Sequence, residues 1–396
     1  MADLEKSIEE LLTRGVEEVF VRESLKQKLL SGKQLRVKFG IDPTGAKIHI
    51  GRAITLWKLR AFQELGHKIV LIIGDFTAQI GDPSDKLSKR PMLSKEQVQE
   101  NFKDYKNQIG KILDLSKVEF VYNGDWLGKL GFQEISELAE GFSVQQMTAR
   151  RNFKERLDKG EEVSLREFMY PLMQGYDSVV VKADVEIGGT DQLFNLKAGR
   201  VIQKHYGQVE QDIMTLKMLV GTDGRKMSTS WGNVITIVDE PDDMFGKIMS
   251  VRDDLILDYF LLCTDTPVEE IEKVKSEMTA GKNPRDVKLD LAEAVVVRYH
   301  EAKKAKEARE SFISVFKSGN LPENIKEVKA KEGELLMDIV LREKLVSSKS
   351  DFRRLVSEGA VSNAETKEKI TDPFFKITSN FIIRIGPLRF LKIVVG

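Results

Sequence analysis

The apolar positions of the chain fall into two kinds of run. Leu4, Ile8, Leu11 and Leu12 recur at helical spacing, and Val16 to Leu30 continues after Gly15, which predicts two helices over residues 1–31. Val37 to Ile41 reads as a strand. Ile69 to Ile73 is unbroken and ends in Gly74-Asp75, the pattern of a parallel strand buried on both faces. A helix over 95–113, a strand over Val118–Tyr122 and helical segments over 131–159 follow. Ser164 to about Val181 predicts a helix with Ser164 as N-cap and Glu167 completing a capping box. Val185–Ile187 and part of 211–220 read as further strands. Strands alternating with helices predict an α/β domain built on a parallel sheet.

The pattern changes after about residue 238. Pro241, Pro267 and Pro284 punctuate helix-like segments near 243–250, 253–263, 267–279 and 284–317. Residues 318–333 are polar and read as a linker. The tail predicts a helix over Glu334–Val340, a helix over Lys349–Glu358 and then short strands.

Composition narrows the function classes. The 396 residues suffice for two or three domains, and 41% hydrophobic with 31% charged residues fits a soluble globular chain. The longest apolar run is far too short to span a membrane, and the charged N-terminus lacks a signal-peptide core, so a cytoplasmic location is expected. One cysteine, Cys263, excludes an intramolecular disulfide, and His49, His67, His205 and His300 have no metal-ligand spacing; no protein metal site is expected. Lys+Arg equals Asp+Glu at 62 each, so net charge does not announce a nucleic-acid partner. Residues 331–396 carry a mild excess, 12 Lys/Arg against 9 Asp/Glu.

Candidate chemistry gathers in a few stretches. Phe39 to Arg52 reads strand, Pro/Thr/Gly turn, then His49-Ile50-Gly51-Arg52 opening a helix. Unpaired N–H groups and the positive dipole end at such a helix start suit phosphate oxygens. Thr77 and Asp82 follow the Ile69–Ile73 strand, where parallel sheets bind ligands, although on the residues alone a capped polar loop is the better explanation. Tyr170, Gln174 and Asp177 share one helical face; as buried polar groups they need partners, either a polar ligand or one another. Gly188-Gly189-Thr190-Asp191-Gln192 places an acidic residue after a strand-end Gly pair, which suits a ribose hydroxyl or a simple turn. Arg150-Arg151 is open between an RNA contact and a solvated helix face. Thr222 to Ser230 is a basic, hydroxyl-rich loop containing Lys226-Met227-Ser228-Thr229-Ser230.

His49-x-Gly51-x paired with the Lys226-Met227-Ser228 loop about 175 residues later resembles the signature pair of class I aminoacyl-tRNA synthetases. Tyr170-x-x-x-Gln174-x-x-Asp177 followed by Gly188 to Gln192 resembles the tyrosine branch rather than its tryptophan relatives. The resemblance spans essentially the whole chain. It implies a class I Rossmann-like parallel-sheet catalytic domain over 1–237 with a dimer-forming insertion near 110–150. A helical anticodon-binding domain over 238–330 and a small α+β RNA-binding domain over 331–396 would follow. It implies ATP and Mg2+, tyrosine and tRNA(Tyr) as partners, and a homodimer. Asp177 would accept from the tyrosine phenol; Tyr170, Gln174 and Asp82 would hold the α-ammonium; Asp42, Thr77 and Gln192 would line the amino-acid site. Thr44 and His49 would bind ATP phosphates, with Gly40 and Gly51 beside the nucleotide. Gly189 and Asp191 would hold the ribose, and Lys226 with Ser228 would close on the pyrophosphate.

The chain departs from that pattern at three positions. Arg52 stands where the signature has a second His, Thr229 replaces its second Lys, and Lys38 stands where a Tyr touches the substrate phenol in other members. Arg52 and Thr229 are carried as catalytic candidates, and Lys38 either donates to the phenol or points away. Two further readings follow: a tryptophan enzyme, disfavoured by an aspartate at 177, and a non-catalytic RNA-binding relative, which the departures Arg52 and Thr229 keep open and the retained His49, Lys226, Asp177 and Asp191 disfavour.

Overall fold

The apolar runs of the N-terminal half become one six-stranded sheet. The computed structural model describes residues 2–43, 47–82, 95–227, 231–318, 325–343, 345–346, 348–386 and 389–396. Strands β1 (Val16–Phe20), β2 (Arg36–Ile41), β3 (Lys68–Ile73), β4 (Val118–Tyr122), β5 (Val185–Gly189) and β6 (Asp212–Leu216) lie in the order β1-β6-β5-β2-β3-β4. All neighbours are parallel except β1, which runs antiparallel to β6. Ile69 to Ile73 on β3 is fully buried, as an unbroken apolar run in a covered sheet must be. From β2 the chain builds outward through β3 and β4, then returns to β5 and β6 on the other side. The β2/β5 boundary is therefore the switch point, and its carboxyl end is where a ligand crevice opens.

Two local expectations change here and a third holds. Residues 1–31 hold not two helices but Ala2–Thr13, strand β1 and Arg22–Leu30. Gly15 at φ 66° ends the first helix, and Val16 to Phe20 finds backbone partners on β6 that helical periodicity could not reveal. Residues 131–159 split into Phe132–Glu140, Val144–Thr148 and Arg151–Asp158, with Ser143 and Gln146 forming a capping box for the second. Ser164 and Glu167 cap the helix Leu165–Val180 as expected.

The chain divides into two compact units, residues 1–239 with 251–284 and residues 240–250 with 285–396. The helices Ile256–Cys263 and Val268–Thr279 thus belong to the first unit. In the second, the stretch read as one helix over 284–317 is two, Pro284–Tyr299 and Ala302–Ser318. The restart has no Pro or Gly behind it; tertiary packing of Phe312 on Phe245, ring centroids 5.4 Å apart, accompanies it. The stretch read as a linker contains β7 (Glu327–Ala330). With β8 (Val361–Asn363), β9 (Phe381–Ile385) and β10 (Arg389–Val395) it forms a sheet of order β7-β10-β9-β8. Helices Leu336–Arg342 and Lys349–Ser357 cover that sheet through Leu336, Ile339, Val340 and Phe352 against Ile383, Ile385, Leu391 and Ile393.

Candidate active site

Side chains from the carboxyl ends of β2, β3 and β4 meet those of the helix Leu165–Val180. Asp42, just past β2, accepts from Thr77 Oγ1 and from Tyr170 Oη, each at 2.8 Å. Thr77 accepts in turn from Asn123 Nδ2 at 3.1 Å. Asn123 Nδ2 lies 3.3 Å from Asp177 Oδ2, and Trp126 Nε1 donates to Asp177 Oδ1 at 2.8 Å. One continuous chain of polar contacts therefore runs Tyr170–Asp42–Thr77–Asn123–Asp177–Trp126. Its members come from four elements remote in sequence, as a crevice at a switch point requires.

Burial sets the electrostatics of this chain. It pushes the Asp42 carboxyl up to about 6, against the lowering effect of its Thr77 and Tyr170 bonds. It pushes Asp177 up to about 7, against the cation of Lys38 and the two donors Trp126 and Asn123. Burial and then Asp42 raise the Tyr170 phenol well above its ordinary value. Two carboxyls that ionise reluctantly in an enclosed site are prepared for a ligand that brings positive charge or hydrogen-bond donors.

A second line of contacts reaches the same crevice from the turn after β5. Gln192 Nε2 donates to Asp82 Oδ2 at 2.6 Å, Asn195 Nδ2 to Gln192 Oε1 at 3.1 Å, and Arg150 Nη2 to Asn195 Oδ1 at 3.1 Å. Arg150 is buried, its guanidinium over Phe153 and Phe194 at 4.9 and 4.5 Å. It supports the site from inside and is neither a solvated residue nor an open RNA contact; only Arg151 beside it is exposed.

Lys38 is fully buried, and its ammonium donates to Gln174 O at 2.7 Å and Ser178 Oγ at 2.7 Å and pairs with Glu186 at 2.8 Å. Its three donors are thereby matched by three protein acceptors. Gln174 Nε2 donates to Glu186 Oε1 at 3.0 Å, which leaves its Oε1 as the acceptor available to a ligand.

The phosphate-reading corner also forms. His49 is the N-cap of the helix Ile50–Glu64, its Nδ1 accepting from Arg52 N at 3.3 Å. Burial, then the charges of Arg52 and Lys226, lower its imidazole to about 4, so His49 is neutral at physiological pH. Arg52 Nη1 donates to Tyr105 Oη at 2.7 Å. A Cβ at Gly51 would lie 3.0 Å from Met227 Sδ and 3.1 Å from His49 Nδ1, so the two motifs meet across Gly51 and a side chain there would push both neighbours aside by a few tenths of an ångström. Lys226 Nζ stands 3.9 Å from Asp191 Oδ2, which joins the loop to the turn after β5. Gly40 and Gly189 lie near the ends of β2 and β5. Thr44, Ser228 and Thr229 lie outside the described residues.

Several site residues were missed in the sequence. Asn123, Trp126 and Asn195 carry no local pattern that marks them, since their partners Asp177, Thr77, Gln192 and Arg150 lie on other elements or outside the motifs. Glu186 read as a strand residue, although a charge inside an apolar central strand, matched by Lys38 in another, signals a buried pair.

The family model described as "tRNA synthetases class I (W and Y)" matches residues 30–317. Tyrosine--tRNA ligase from Carboxydothermus hydrogenoformans is 47% identical over 401 residues, covering 97% of each chain. The one from Thermotoga maritima is 43% identical, covering 98% of this chain and 97% of its own. Among solved structures, a truncated mitochondrial tyrosyl-tRNA synthetase of Aspergillus nidulans aligns at TM-score 0.64 and 21% identity, over 80% of this chain and 98% of its own. A tyrosyl-tRNA synthetase of Archaeoglobus fulgidus complexed with L-tyrosine aligns at 0.60 and 23%, over 78% and 100%. These likenesses establish the Rossmann-like class I fold, and full-length identity above 40% places the sequence within one branch of it: the chain belongs to the bacterial-type tyrosine–tRNA ligases of the class I tRNA synthetases.

Proposed function

We propose that this chain ligates tyrosine to tRNA(Tyr) through a tyrosyl-adenylate, using the crevice at the β2/β5 switch point. The observation that carries the reading is the polar chain from Tyr170 through Asp42, Thr77 and Asn123 to Asp177. It offers an acceptor for a phenol hydroxyl at one end and carboxylate and hydroxyl groups for an ammonium at the other.

In this reading Asp177 accepts from the substrate phenol, while Tyr170, the Oε1 of Gln174 and Asp82 hold the α-ammonium. Asp42, Thr77 and Gln192 shape the amino-acid site. The tyrosine carboxylate oxygen attacks the α-phosphorus of ATP; the P–O bond to the β-phosphate breaks, and pyrophosphate leaves with its electron pair. A 3'-terminal ribose hydroxyl of the tRNA then attacks the tyrosyl carbonyl and AMP departs. No protein nucleophile takes part, so positioning and charge stabilisation carry the rate. Neutral His49, Arg52, Lys226 and the helix N-terminus supply donors and charge for the phosphates, with Thr44, Ser228 and Thr229 as partners. Gly40 and Gly51 give the nucleotide room, and Gly189 and Asp191 hold its ribose.

Among the described residues no group of three His, Cys, Asp or Glu side chains could hold a metal. Mg2+ fits this chemistry as an ion carried in by the ATP phosphates, whose charge it neutralises when bound. Within the stretch 238–330 read as an anticodon domain, we assign the helices of the second unit, Pro241–Met249, Pro284–Tyr299 and Ala302–Ser318, to anticodon contact, and residues 331–396 to RNA binding on the excess of basic residues in the tail. Phe132 and Val144 are 88% and 67% exposed, and these exposed apolar side chains support a homodimer through the region near 110–150. The bacterial-type relatives support a cytoplasmic location.

The test is tyrosine-dependent ATP–pyrophosphate exchange without tRNA, with phenylalanine and tryptophan as controls. Exchange with tyrosine alone is expected. Exchange with tryptophan would move the specificity, and silence from a folded protein would remove the enzymatic reading.

A further inference from the structure

Lys38 and Glu186 are register partners on the adjacent parallel strands β2 and β5, at the point where the sheet reverses its winding. Each side chain is 1% exposed and they pair at 2.8 Å. Glu186 Oε1 also receives Gln174 Nε2 at 3.0 Å, and its Oε2 receives Ser178 Oγ at 3.3 Å and Gln211 Nε2. Lys38 donates to the backbone carbonyl of Gln174 and to Ser178 Oγ. Gln174, Asp177 and Ser178 belong to one helix, so the pair grips the tyrosine-facing helix at two of its three central polar positions. An apolar pair would pack between these strands at least as stably, because two buried charges lose their hydration. Stability therefore does not account for the pair.

We propose that the Lys38–Glu186 ion pair is the positioning device of the tyrosine pocket: Glu186 fixes the Gln174 amide, and Lys38 supplies its cation to the Asp177 carboxylate from within the core, without touching the substrate. The charged and titratable groups around Asp177 are Lys38 on β2, Glu186 on β5 and Tyr170 on its own helix. The loop after β4 faces it with the neutral donors Asn123 and Trp126. Lys38 favours the ionised Asp177 and Glu186 opposes it. Removing one charge or the other must therefore move tyrosine recognition along the pH axis in opposite directions, which a packing role does not predict.

This inference rests on tyrosine activation by the wild-type protein, and the experiment separates the two. The full-length wild type, E186Q, K38M and the double variant K38M/E186Q are compared in pyrophosphate exchange across about pH 5.5 to 8.5, with tyrosine and with phenylalanine. E186Q keeps the shape of the side chain, and the double variant avoids leaving one charge buried alone if K38M does not fold. The expected result is a roughly tenfold rise in KM for tyrosine in E186Q and in the double variant, with kcat less affected. The acid limb of kcat/KM moves down in E186Q and up in K38M, each by about one pH unit or less. Folded E186Q and double variants that retain the wild-type KM, acid limb and tyrosine-to-phenylalanine ratio would overturn the proposal. A wild type that exchanges with no amino acid would overturn the underlying activity and this inference with it.

Discussion

Asp177, which we propose as the acceptor of the substrate phenol, should weaken the fold when ionised. The perturbation is Asp177→Asn, which keeps the side-chain shape and an acceptor for Trp126 Nε1 but removes the charge. Asp177 is 3% exposed, and its carboxyl rises from 3.8 to about 7 on folding. A carboxyl whose folded value lies above its unfolded one costs stability when ionised. That cost is absent below 3.8 and complete above about 7. At about pH 8 it amounts to about 4 kcal/mol, and at about pH 5 to about 1.5 kcal/mol. The amide also loses part of its bonding to Asn123, an offset of about 1 kcal/mol at either pH. The variant should therefore gain roughly 2–3 kcal/mol more, relative to wild type, at about pH 8 than at about pH 5. Activity should move the other way. Losing a charge-assisted bond to the phenol lowers kcat/KM for tyrosine by roughly 10- to 150-fold, with far less effect on phenylalanine. Thermal melting of the ligand-free protein at the two pH values, together with pyrophosphate exchange, measures both arms. An equal stability change at both pH values would refute the assignment of the cost to Asp177 ionisation. Undiminished tyrosine kcat/KM would refute its role in recognition.

Other consequences are sharp enough to measure. Gly74→Ala places a Cβ 1.8 Å from Asp42 Oδ1 and 2.3 Å from Thr77 Oγ1, so the Asp42–Thr77 bond must break; tyrosine activation should fall at least tenfold in a protein with native circular dichroism, and a fully active variant would contradict the geometry. His49 should titrate near 4 in the ligand-free protein, its charged form disfavoured first by burial and then by Arg52 and Lys226; a histidine NMR midpoint near the ordinary 6.5 would contradict that environment. Tyr105→Phe removes the acceptor of Arg52 Nη1, a loss of about 1 kcal/mol, so KM for ATP should rise about fivefold with KM for tyrosine unchanged; the reverse pattern would place Arg52 outside the nucleotide site.

The fold could be read from the sequence wherever the deciding interactions are local. The unbroken Ile69–Ile73 run announced a doubly covered strand, and Ser164 with Glu167 announced a helix start, because burial pattern and capping depend on residues a few positions apart. Where long-range partners decide, the reading failed. Val16–Phe20 looks helical until β6 supplies its hydrogen bonds, and Arg150 looks like surface until Phe153, Phe194 and Asn195 enclose it.

The candidate site divides along the same line. Spacing put His49 at a helix start and Tyr170, Gln174 and Asp177 on one helical face, because both follow from chain geometry; that they and Lys226 serve a ligand came from the resemblance to class I synthetases. That Asn123 and Trp126 would hold Asp177, or that Lys38 would face Glu186 instead of a ligand, depends on strand order and register. Shifting β5 by one residue against β2 would send Glu186 to the opposite face and leave Lys38 buried without a counter-charge. The sequence by itself therefore determined which chemistry the chain carries. Only the tertiary structure decided which charges neutralise one another and which remain for a ligand, because that choice is made across strands that meet only when the sheet assembles.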